Sequence, residues 1–165
     1  MLPRNFELRW LDYGIRSLVI SLNRIPGVYT MTTCEGHIWK DIPLWPTKDG
    51  WVHFGKPRGV HDGLVTEIRA FLFRPEYYFF NLGISEFPNC PNLDPTHTIS
   101  ASFDKHTIGA ESIFLRMDLI SQRNYFKRAE RRKQKMLQGW NDLNQVVIGY
   151  IRKNITFDYD CLPFI

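Results

Sequence analysis

The stretch Ile25-Pro26-Gly27-Val28-Tyr29-Thr30-Met31-Thr32-Thr33-Cys34-Glu35-Gly36-His37 decides the fold. Pro26-Gly27 stops whatever helix enters it, because proline has no amide to extend the ladder and glycine accepts the turn conformation. The segment 28–33 is rich in β-branched residues and is predicted to be a strand. A period of two places Val28, Thr30, Thr32 and Cys34 on one side, and Tyr29, Met31 and Thr33 on the other. Glu35-Gly36 then breaks the strand. A thiol, a carboxylate and an imidazole (Cys34, Glu35, His37) thus fall within four residues, at what reads as the exposed end of a strand.

Upstream, Ile15, Leu18, Val19, Leu22 and Ile25 recur at helical spacing and predict an amphipathic helix over 13–24 with Asp12 as its N-cap. Downstream, the turn signals Pro43, Pro46 and Asp49-Gly50 predict a long loop over 38–50. A short strand over 51–54, paired with the first, follows. The loop Gly55-Lys56-Pro57-Arg58-Gly59 lacks the spacing and the hydroxyl residue of a P-loop. A second helix is expected over 61–74, ended by Pro75. Strands are expected over 77–84, buried on both sides, over 96–103 and over 112–119, the last with the beginning of the final helix as its alternative. A long helix over 121–154 closes the chain, its seam formed by Phe126, Ala129, Met136, Trp140, Leu143, Val147 and Tyr150. Gly139 and Gly149 lie inside it, and a kink near either is expected. The order α-β-β-α-β-β-β-α, with hairpin-like links, gives one α+β domain over 1–165: a mixed, mainly antiparallel sheet of about five strands with three helices packed on it.

The 165 residues, 44% of them apolar, suffice for a core without metal or disulfide support. Cys34, Cys90 and Cys161 form no disulfide framework, which points to a reducing, cytoplasmic compartment. No apolar run suggests a signal core or a membrane span. Net charge is +4, yet 123–135 alone carries +6 and the remainder −2. An anionic partner would therefore meet one surface. The seven cations of this segment, Arg123, Lys127, Arg128, Arg131, Arg132, Lys133 and Lys135, are expected off the apolar seam; all but Lys133 are taken as nucleic-acid contacts, with Tyr125 and Phe126 offering stacking.

At the turn, successive amides around Gly36 suit an anion, and His37 suits general acid–base work or a phosphate contact. Glu35 would orient it. His53 faces the same site if the second strand pairs with the first. A metal reading would combine Cys34 and His37 with some of His53, His61, His97 and His106. The sequence holds only one close ligand pair, so no metal is expected, and zinc binding stands as a third alternative.

The run Leu22-Asn23-Arg24-Ile25-Pro26-Gly27-Val28, then Thr30 and Thr33-Cys34-Glu35-Gly36-His37, resembles a pattern of uncharacterised small bacterial proteins: Leu-Asn, Pro-Gly-Val, then Ser-Cys-Glu-Gly-His. More distantly it is similar to the wybutosine-synthesising methyltransferase family, which modifies phenylalanine tRNA with S-adenosylmethionine. There a helix precedes a strand ending in Ser-Ser-Cys-Ser-Gly-Arg. Thr33, Cys34 and Gly36 match that motif, Thr32 stands at the first serine, Glu35 replaces a serine and His37 the arginine. The resemblance implies S-adenosylmethionine as cofactor and tRNA as partner. The leading expectation is a small-ligand or nucleotide site made by Thr32, Thr33, Cys34, Gly36 and His53, with His37 and Glu35 catalytic and RNA on the basic helix. The alternative is a non-catalytic nucleic-acid-binding or accessory protein working through that helix.

Overall fold

The computed structural model describes residues 11–38, 47–85, 94–103 and 117–155. The apolar stripe of the first segment winds as α1 (Tyr13–Asn23), burying Ile15, Leu18, Val19 and Leu22. Gly27, at φ +78°, makes the turn out of it, and β1 (Tyr29–Cys34) follows. His37–Ile38 and Thr47–Lys48 pair antiparallel as β2 and β3. The ends of the stretch expected to be all loop therefore form a ladder. Next come β4 (Gly50–Gly55), α2 (Asp62–Leu72), a single 3₁₀ turn at Pro75–Tyr77, β5 (Phe80–Ser85), β6 (Thr96–Ala101) and α3 (Leu119–Asn154).

The main sheet has the order β1-β4-β6-β5. Every pairing in it is antiparallel, including the expected pairing of β1 with β4. Val52, Phe54, Ile99 and Ala101 on one face join Ile15, Leu22, Leu64, Ile68, Met136, Trp140, Leu143 and Val147 in one core. At roughly 1.5–3 kcal/mol per fully buried large side chain, this cluster fixes how the three helices sit on the sheet. α3 packs against both α1 and α2.

Two expectations need correction, and a third lies mostly outside the described residues. Residues 77–84 are not a strand buried on both sides. Tyr77 belongs to the 3₁₀ turn that Pro75 initiates, and β5 stands last in the order of the described strands, with its final three residues exposed. Alternation along β1 is broken by a register shift between Thr30 and Thr32, which leaves Thr30 buried and Thr32 exposed. The strand expected over 112–119 falls mainly on 104–116, outside the described residues, while Leu119 begins α3.

α3 starts two residues before the expected 121. The Asp118 carboxylate caps it by accepting from the Ser121 amide at 2.8 Å. That amide and the Ser121 hydroxyl hold the Asp118 carboxyl below its usual range. The helix runs unbroken through both glycines. Gly139 lies against the ring of Phe80, which any side chain there would strike, whereas a methyl at Gly149 would enter open space. Gly149→Ala should therefore raise stability by about 1 kcal/mol. Gly139→Ala gains the same propensity but must displace the Phe80 ring, for a net loss of about 1–3 kcal/mol. Thermal unfolding of the two variants should move in opposite directions.

Candidate functional site

The 34–37 turn is built by an exchange between distant segments. Asp12 occupies the N-cap position of α1, but its carboxylate makes no cap hydrogen bond. Oδ2 of Asp12 accepts instead from the Glu35 amide at 2.9 Å. In return, Oε2 of Glu35 accepts from the Gly14 amide at 2.6 Å, so a residue 21 positions away caps the helix. A carboxylate there also meets the positive end of the helix dipole.

The other side of the turn is held by α3. Lys133 Nζ donates to Glu35 Oε1 at 2.7 Å and to the Gly36 carbonyl. It also reaches the Glu35 carbonyl, as does Trp140 Nε1, each at 3.4 Å. Gly36 has φ +87°, and a Cβ on it would come within 2.7 Å of Met136 Cε and 3.2 Å of the Gly50 amide nitrogen and the Lys48 carbonyl oxygen. The close approach that only glycine allows is thus to the protein's own β3–β4 connection and to α3. Both Glu35 carboxylate oxygens are engaged, which makes Glu35 a fastener between α1, the turn and α3.

On the remaining side stand Asp12, Cys34 and His37. A carboxylate oxygen, the thiol sulfur and an imidazole nitrogen lie within 4.8 Å of one another. His37 Nε2 is 3.2 Å from Asp12 Oδ2. Cys34 is 3% exposed. Burial pushes its thiol pKa up, and the Gly36 amide pulls it only partly back. A buried, protonated thiol is a poor nucleophile, and it ligates a metal only as the thiolate that the ion itself draws out. Asp12 was predicted as a cap; nothing in local spacing signals its meeting with Cys34 and His37, which depends on how α1 docks on β1.

The other expected contacts lie elsewhere. Thr32 is exposed, and Thr33 is half-buried opposite Val52 of β4. His53 stands between Thr32 and Thr98 on the sheet face turned from the helices. Its Nε2 is buried without a hydrogen-bond partner among the described residues. It is not one of the residues that converge with Cys34.

The basic helix presents a second constellation. Each residue of α3 turns by about 100°, so Arg123, Lys127, Arg128, Arg131, Arg132 and Lys135 fall within one arc of about 180°. Arg123, Lys127, Arg128, Arg131 and Lys135 are exposed. None of them forms an ion pair among the described residues. Lys133 falls about 100° beyond Arg132, on the side of Ala129, Met136 and Trp140, and is used inside the fold. A cavity of about 270 Å³ opens beside this arc, lined by Phe103, Tyr125, Arg128, Ala129 and Arg132. The Arg132 guanidinium stacks over Tyr78 and Phe79, 4.8 Å from each ring centre. Its Nη1 is buried with no acceptor among the described residues.

Fold and site together define an α+β domain with a wholly antiparallel main sheet, a tightly fastened turn and one cationic helical face. Comparison with family models, with curated proteins and with solved structures finds no match. Among the described residues no helix is long and apolar enough to cross a membrane.

Proposed function

We propose that this protein binds single-stranded nucleic acid, RNA in the first instance, on the face of α3 that carries Arg123, Lys127, Arg128, Arg131, Arg132 and Lys135. The observation that carries the reading is the cavity beside those charges, in which two aromatic rings meet two guanidinium groups. One of those guanidinium groups, that of Arg132, has a buried N–H without an acceptor among the described residues. A buried donor left unsatisfied costs about 1–3 kcal/mol, and a phosphate oxygen would relieve that cost. At about 270 Å³ the cavity is just below the roughly 300 Å³ at which drug-sized sites begin, a size for one unstacked base with its phosphate. Tyr125, half-buried at the cavity, supplies the ring on which such a base stacks, over a floor to which the buried Phe103 contributes. Unpaired bases are available in single strands and loops, which is why the reading favours these over duplex. The test is a salt titration of binding to a single-stranded oligonucleotide. Four phosphate contacts give a slope of log K against log salt near −2.8, at about 0.7 per contact. A flat profile removes the proposal.

Methyl transfer from S-adenosylmethionine is the enzymatic extension of this reading. It rests on the resemblance at Thr33, Cys34 and Gly36. It expects S-adenosylmethionine at millimolar concentration to raise the melting temperature. No rise removes the methyl transfer and leaves nucleic-acid binding standing.

A further inference from the structure

We propose that Asp12, Cys34 and His37 form a site for a divalent transition metal of the zinc type, distinct from the cationic face of α3. The three residues offer one oxygen, one sulfur and one nitrogen, all within 4.8 Å of one another. A tetrahedral zinc with bonds of about 2.0–2.3 Å holds its ligand atoms about 3.3–3.8 Å apart. The Asp12 Oδ2 to His37 Nε2 separation is already 3.2 Å. Closing the set around an ion therefore needs movements of about 1 Å or less, within the reach of side-chain torsions.

Each ligand is positioned by a different part of the fold. Cys34 ends β1 in register with Trp51. His37 is paired with Lys48 in the β2–β3 ladder. Asp12 is steadied at Oδ2 by the Glu35 amide, which uses one lone pair of that oxygen and leaves the other for an ion. A hydrogen bond of this kind to a ligating carboxylate is a regular support of metal sites. The donor set also selects the ion. Thiolate and imidazole suit zinc and its neighbours, whereas magnesium and calcium call for oxygens alone.

The site is closed on one side and open on the other. Cys34 is 3% exposed, whereas the side chains of His37 and Asp12 are 34% and 29% exposed. Three protein ligands with a solvent-facing fourth position leave room for a bound water, the arrangement of zinc sites that do chemistry. Binding would form a zinc–sulfur bond as the Cys34 thiol gives its proton to solvent, with no change of oxidation state.

The experiment uses the full chain, stripped with chelator and titrated separately with Zn²⁺ and Co²⁺. One equivalent of each should bind, and cobalt should add the near-ultraviolet absorption of a thiolate-to-metal charge transfer. Cys34→Ser should abolish that absorption. A Cys90→Ser, Cys161→Ser double variant should keep it, assigning the sulfur. Because Cys34 is a core residue, His37→Ala, on the half-exposed β2, is the second arm. It should weaken zinc binding at least tenfold while the far-ultraviolet circular dichroism stays unchanged. The proposal is overturned if cobalt gives no charge-transfer absorption, if the absorption is lost in the Cys90, Cys161 variant and kept in Cys34→Ser, or if folded His37→Ala binds zinc as tightly as the parent.

Discussion

Lys133→Met should lower the unfolding free energy by about 2–3 kcal/mol, the largest loss expected from any single change in the basic segment. The ammonium of Lys133 meets Oε1 of Glu35 at 2.7 Å, and the two side chains are 15% and 17% exposed. It also covers the carbonyls of Glu35 and Gly36. Removing one partner of a fully buried pair costs about 3–5 kcal/mol, mainly through the charge left behind. The residual solvent contact of both groups screens that charge and brings the figure down. Methionine keeps the apolar stem, so the loss reports the ammonium rather than the packing. Adding Glu35→Gln to Lys133→Met should cost less than the two single losses together, because the neutral amide needs no counter-charge. Urea unfolding with an unchanged m-value measures both effects. A loss under about 0.5 kcal/mol, the range of ordinary surface changes, would mean that Lys133 does not fasten the turn. Arg131→Gln, two residues earlier and exposed, is the control and should stay within about 0.5 kcal/mol of the parent.

This contrast shows where local pattern stops being informative. The stripe of α1, the Pro26-Gly27 stop and the seam of α3 follow from residues a few positions apart, and each appears in the structure within a residue or two. The interruption of β1 at Met31 does not, since Thr-Met-Thr-Thr alternates as well as any strand and only the partner strand sets the register. Tyr77 reads as strand by its neighbours, yet Pro75 and a hydrogen bond from its hydroxyl to Asp142 at 2.6 Å, 65 residues away, hold it in a turn. Burial and that carboxylate push the Tyr77 hydroxyl pKa up to about 12. At the site, grouping Cys34 with His37 needed only their spacing. The capping of α1 by Glu35, the arrival of Asp12 and the commitment of Lys133 span 21 to 98 residues and are written in tertiary packing alone. Seven cations in a row look equivalent on paper; the helical turn sends six to one arc and the seventh into the fold.

Replacing Lys127, Arg128 and Arg131 together by glutamine should weaken binding to single-stranded RNA about 100-fold at about 0.1 M salt, while stability changes by less than about 1 kcal/mol. Each phosphate contact on a single strand releases about 0.7 of a counterion, so three lost contacts amount to about two log units between 0.1 M and 1 M salt. The slope of log K against log salt should shrink by about 2.1 in the same variant. All three residues are exposed and outside the ion pairs of the described fold, so folding is not what the variant perturbs. Arg132 is deliberately left in place, because its guanidinium lies over Tyr78 and Phe79 and its loss would mix packing with binding. Lys133→Met supplies the complementary case: at a temperature where it remains folded, it should bind RNA with nearly the parental slope, since its charge faces Glu35 and not the outer arc. Were the triple variant to keep its affinity and slope, the cationic arc would be a solvated surface and the cavity beside it would have no phosphate to receive. Were Lys133→Met to lose the slope instead, the anion would lie at the turn and the binding face would have to be moved across the helix.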